Sequence, residues 1–186
     1  MQLQKSVYGA VILMLFANSV VCEETSEPSV RYVSLQRTAC LGDCPVYDVT
    51  IRSDGTVRYM GIESVGQSGE RQSQISTQNF ARVVSELKAI DFFRFESRRK
   101  GRRGCLHYKT DFPSITIRAV TSKADKSVYL YTGCSDTKSS LALMKLAELI
   151  DKVADTPKWI NQASDQARPT VFVPVGRSSV SVHLPI

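Results

Sequence analysis

The chain has 186 residues, 42% hydrophobic and 23% charged. That is ordinary globular composition, enough to bury one core without metal, and it excludes a chain too polar to fold. The net charge of +6 fits an anionic partner such as nucleic acid, lipid head groups or cell-wall polymer, but solubility alone asks for as much, and that reading is preferred.

Residues 1–22 read as a signal peptide. Lys5 supplies the positive start, and residues 7–17 form an apolar run too short to span a bilayer comfortably. Cleavage fits after Ala17-Asn18-Ser19 or after Val20-Val21-Cys22. Lipid attachment at Cys22 is a minor alternative: a lipoprotein signal wants a small residue just before the cysteine and Leu three before it, and Val21 and Ser19 stand there. Residues 23–29 form an acidic, polar, flexible leader. The expected location is the periplasm or the exterior, with no transmembrane span after cleavage.

Residues 30–36 alternate, with Val33 and Leu35 on one face, and are expected to form a strand. Next come Cys40, Gly42, Cys44 and Pro45. Pro45 cannot donate a ladder hydrogen bond and fits the start of a strand. Tyr47, Val49 and Ile51 alternate with Asp48, Thr50 and Arg52, and Val57 and Tyr59 continue the pattern on a return strand. Asp54-Gly55 supplies the positive φ angles of a tight turn. The hairpin over residues 45–61 is the firmest local feature.

Gly61, Gly66 and Gly69 punctuate a polar stretch, and residues 71–75 suit a short edge strand. Phe80, Val83, Val84, Leu87 and Ile90 form one apolar stripe of a helix over residues 77–90, with Ser76 or Thr77 as cap. Phe92, Phe93 and Phe95 are expected to close the core over its end. The run Arg98, Arg99, Lys100, Arg102, Arg103 with two glycines is a basic loop. It can clamp an anion. Without interleaved aromatics it reads more simply as a solvated excursion, and nucleic acid is disfavoured.

Residues 114–120 and 126–132 alternate around a polar turn at 122–125 and form a second hairpin. Leu143, Leu146, Ala147, Ile150 and Val153 mark a second helix over residues 136–154, with Asp136 as cap and Pro157 as stop. Trp159 and Ile160 then fold back onto the core. Residues 161–186 read as a tail of uncertain order. The expected fold class is α+β: an antiparallel sheet of two or more hairpins with two amphipathic helices packed on one face, in a single domain over residues 30–160.

Export gives the cysteines their first reading, since thiols pair in oxidising compartments. With Cys22 removed, Cys40, Cys44, Cys105 and Cys134 allow three pairings. Cys40–Cys44 with Cys105–Cys134 is preferred, because Cys105 precedes the second hairpin and Cys134 follows it, so a bridge would staple its open end.

The run Val33-Ser34-Leu35-x-Arg37-Thr38-x-Cys40-x-Gly42-x-Cys44-Pro45-x-Tyr47, continuing to Gly61, resembles the bacterial family called domain of unknown function 6438. Further likenesses are Val65, Gly66 and Gly69, the helix near Phe80, Asp111-x-Pro113 and a final helix ending near Trp159. The resemblance covers roughly residues 30–160. It implies export, often as a lipoprotein, and no activity. The basic loop, the tail and the poor lipid signal depart from it.

Cys-x-x-x-Cys-Pro is also similar to the copper site of Sco-type assembly proteins, which implies copper held by Cys40, Cys44 and a histidine, His107 or His183. There a helix follows the motif, whereas here a strand does. A thiol-redox role would need a lowered thiol pKa; Asp43 opposes this, and Arg37 would have to offset it. No Gly-x-Ser-x-Gly, His-Glu-x-x-His or phosphate-cradling glycine loop occurs. Asp48, Asp54 and Asp111 read as strand-face or turn residues. The expectation is a non-enzymatic exported module without cofactor, stabilised by disulfides and binding a protein or envelope component. Copper or redox chemistry at Cys40 and Cys44, and anion binding at the basic loop, are the alternatives.

Overall fold

The computed structural model describes residues 29–97, 105, 107–134 and 137–161. The signal peptide, most of the leader, the basic loop (Arg98, Arg99, Lys100, Arg102, Arg103), Cys22, Asp136, His183 and residues 162–186 lie outside them. The fold is α+β. Six strands make one antiparallel sheet: β1 (Val30–Arg37), β2 (Val46–Arg52), β3 (Thr56–Glu63), β4 (Gly69–Gln74), β5 (Ser114–Thr121) and β6 (Asp125–Tyr131). Their order is β4-β3-β2-β1-β5-β6. Two helices, α1 (Thr77–Ala89) and α2 (Lys138–Ala154), pack against it, and a short α3 (Pro157–Ile160) follows.

Alternation builds the core. Leu35 stands opposite Val49 on one side and Ile117 on the other. Those two continue the row to Tyr59 and Val128. All five are buried, as are Phe80, Val83 and Leu87 of α1 and Leu143, Leu146 and Ile150 of α2. Side chains of opposite phase, such as Ser34, Thr50 and Arg118, face away and are half-buried or exposed.

Several local details differ from expectation. In the β2–β3 turn only Gly55 takes a positive φ, +84°. Asp54 instead accepts the Thr56 N–H through Oδ1 at 2.9 Å, so its carboxylate closes the turn. β4 begins at Gly69, two residues earlier than residues 71–75 suggest, because Gly61, Met60 and Tyr59 pair with Gly69, Glu70 and Arg71.

Of the three phenylalanines only Phe92 is fully buried; Phe93 is 36% exposed. Ser76 caps α1 through its side-chain oxygen, and Thr137 caps α2 in a reciprocal box with Ser140. α2 keeps its expected end, Ala154, but its cap is Thr137 and not Asp136. That helix ends where Asp155 turns left-handed, at φ 55°, and Pro157 opens α3, where its missing N–H costs nothing. Trp159 is buried and stacks on Tyr59, with ring centroids 4.9 Å apart.

Candidate functional site

Strand side chains alternate with a period of two. Arg37 is therefore the next residue in phase after Val33 and Leu35, and β1 carries it onto the helix face at the sheet's end. Across the ladder it faces Tyr47. A guanidinium so placed requires a counter-charge. Asp151 of α2 supplies it: Arg37 donates from Nε and Nη2 to Oδ2, at 3.1 and 2.6 Å. The Tyr47 hydroxyl donates to Oδ1 at 2.7 Å, and Thr156 Oγ1 donates to the same oxygen at 2.9 Å.

The electrostatics follow. Burial and the neighbouring Asp151 charge push the Tyr47 phenol well above its ordinary pKa. Burial alone would lower the Arg37 pKa, but Asp151 and Tyr47 override it and hold the guanidinium above its usual value. Arg37 is thus engaged by Asp151, not available to offset Asp43 as a redox cysteine would want.

A depression of about 260 Å³ opens over this cluster. Pro45, Pro113, Pro157 and Ile160 wall it, with Cys44 at the rim. Cys44 is bonded to Cys40, with Cα atoms 5.6 Å apart. Gly42 makes that loop possible: its φ of +121° is one that side-chain-bearing residues rarely adopt. The Leu41 N–H donates to the Asp111 carbonyl at 3.1 Å, fastening the loop to the segment before β5. Asp111 itself has φ +67°. Leu41 projects outward, 81% exposed, and Phe112 is 44% exposed.

The same end of the sheet carries the bond between Cys105 and Cys134, Cα atoms 5.6 Å apart. Beside it the Tyr131 hydroxyl donates to the Lys109 carbonyl at 2.8 Å and accepts the Phe112 N–H at 3.1 Å. Two bridges, an ion pair and these bonds tie the loops together. His107 is exposed. Among the described residues no group of three or more His, Cys, Asp or Glu is placed to hold a metal. Asp48 lies on the bare face and Asp54 in the hairpin turn.

Asp151 is the residue sequence reasoning missed. Two signals point to it in hindsight: Arg37 continues the buried phase of β1, and Asp151 falls four residues after Ala147 and three before Ala154, on the buried stripe of α2.

Together these features define a disulfide-clamped α+β domain with one helix-covered sheet face and one that is bare among the described residues. The chain belongs to the family described as domain of unknown function 6438, whose model matches residues 31–154. That span takes in Arg37, Tyr47, Asp151 and the four bonded cysteines. No curated protein matches the chain. Among the described residues, no helix is long and apolar enough to cross a membrane.

Proposed function

We propose that this chain is an exported, non-catalytic binding or interaction module, held together by disulfides and acting in the periplasm or outside the cell on a protein or other envelope component. The observation that carries this reading is the exposure of Leu41 at the tip of the Cys40–Cys44 loop, beside Phe112. An apolar side chain presented from a rigid loop loses little freedom on binding, which favours association. Among the described residues, the bonded thiols and the Asp151 carboxylate serve the fold. The four thiols are bonded in pairs, and the Asp151 carboxylate accepts from Arg37, Tyr47 and Thr156. Two disulfides also fit an oxidising compartment.

Two measurements test this. Alkylation and mass measurement of the protein recovered from its own cells should give a shortened chain with no free thiol among Cys40, Cys44, Cys105 and Cys134. An intact chain with reduced thiols refutes export. The double variant Leu41→Asp/Phe112→Asp should keep its thermal stability and lose its cross-linked partner; retention of that partner refutes the binding surface.

A further inference from the structure

The sheet face that no described element covers is not a uniform polar surface. Short side chains, Ser34, Thr50, Thr116 and Ser127, lie between longer ones and leave a depression of about 230 Å³. A second, of about 180 Å³, lies toward β4, beside Arg58 and Glu70. Both are lined by Asp48 and Thr50. They adjoin at these two residues, and their linings together reach from β4 to β6, a trough about 24 Å across at the usual strand spacing of about 4.8 Å.

The charges along this trough are largely spent within it. Arg118 grips Asp125 through two hydrogen bonds, at 2.8 and 2.6 Å. Arg58 grips Glu70 at 3.1 and 2.9 Å. Asp48, which lines both depressions, is different. Gln36, opposite it on β1, hydrogen-bonds its side chain, but Oδ1 is shielded from solvent and meets no donor among the described residues. It is an acceptor in need of a donor. Nearby, the Arg118 guanidinium lies over the Tyr32 ring, 5.6 Å from its centroid, and Arg118 itself lines the larger depression.

We propose that this trough binds a neutral, polyhydroxylated chain, a glycan, with a sugar hydroxyl or acetamido N–H donating to Asp48 Oδ1. A sugar offers donors and acceptors together, which suits Ser34, Thr50, Thr116 and Ser127, each able to do either. A pyranose ring has an apolar face that can lie against the planar guanidinium of Arg118. A polyanion is disfavoured: it would meet the Asp48 carboxylate and find Arg58 and Arg118 already engaged, with Arg52 the third lining arginine. A peptide strand would seek the backbone groups of a sheet edge rather than its face. The inference concerns a surface separate from Leu41 and Phe112 and stands without the protein-binding reading.

The test is a titration of the ¹⁵N-labelled protein with chitotetraose and, separately, maltotetraose, followed by amide shifts. At least one should give saturable shifts at Ser34, Thr50, Thr116 and Ser127, with a Kd of about a millimolar. Asp48→Leu should weaken binding by about tenfold or more, whereas Asp48→Asn, which keeps a side-chain carbonyl acceptor, should stay within about threefold. Ser34→Tyr fills the larger depression while keeping the Asp48 carboxylate and should abolish binding even if Asp48→Leu fails to fold. Leu41→Asp should change nothing. The proposal fails if neither glycan shifts these amides, if the shifts fall at the loop end instead, if Ser34→Tyr binds as well as the parent, or if heparin competes for the same residues.

Discussion

Arg37 and Asp151 are 114 residues apart in the chain and 2.6 Å apart in space. Their contact fastens the end of the central strand β1 to the last turn of α2, and the same carboxylate holds Tyr47 and Thr156. The family motif thus has its anchor far outside itself.

Removing that anchor strands a partly buried guanidinium and two hydroxyls. Asp151→Ala should cost about 3 kcal/mol in urea unfolding, because an uncompensated charge and unsatisfied donors remain. The double variant Arg37→Met/Asp151→Leu should lose less than Asp151→Ala alone, since it removes both charges. Equal losses would mean that the pair does not hold the two elements together.

Alkaline pH should loosen the fold through Tyr47. Its pKa is raised by burial and by Asp151, so the folded state favours the neutral phenol. The unfolded chain ionises near its ordinary pKa of about 10. The Tyr47 contribution is therefore fully present below about pH 10 and is lost as pH rises toward the folded pKa, at up to about 1.4 kcal/mol per pH unit. Tyr47→Phe should cost about 1 kcal/mol at neutral pH and flatten this limb. Tyr59, also raised by burial, should leave a remnant of it. Unfolding curves between pH 9 and 11 decide the matter.

The two disulfides should differ in weight. Cys40–Cys44 closes a separation of 4 residues and Cys105–Cys134 one of 29. Chain entropy assigns about 2 kcal/mol to the first and about 3.5 kcal/mol to the second. Paired serine variants at each bridge, compared by urea midpoint at constant slope, should reproduce that order.

Thr137 makes a reciprocal box with Ser140 at the start of α2. Thr137→Ala should cost about 1 kcal/mol, and Thr137→Asp should recover most of it. Thermal melts of the two variants provide the comparison.

The parts of the fold visible in the sequence are those written in local periodicity. Tyr47, Val49 and Ile51 announced β2 by alternation, and Phe80, Val83 and Leu87 announced α1 by helical spacing. Boundaries were less visible because tertiary contacts decide them. β4 starts at Gly69 to complete a ladder with β3, and α2 is capped by Thr137, not by Asp136, although its end at Ala154 was visible. Phe93 looked as apolar as Phe92, yet a short turn sends only Phe92 inward. For the site, the spacing of Arg37 and Tyr47 was visible, while their common partner, Asp151, was not. No local rule reaches from β1 to α2; only the odd phase of a charged residue hinted at it.

The strand order has a consequence for assembly. β1 sits between β2, its neighbour in sequence, and β5, which is made much later. A polypeptide that emerges N-terminus first completes its β1–β2–β3 meander early, but one flank of β1 stays open until the second hairpin arrives. That flank is a template for stray pairing with other nascent chains, and closing it is a slow, long-range step. Whatever guards this protein from aggregation during its maturation must act in that interval, on the first strand it makes.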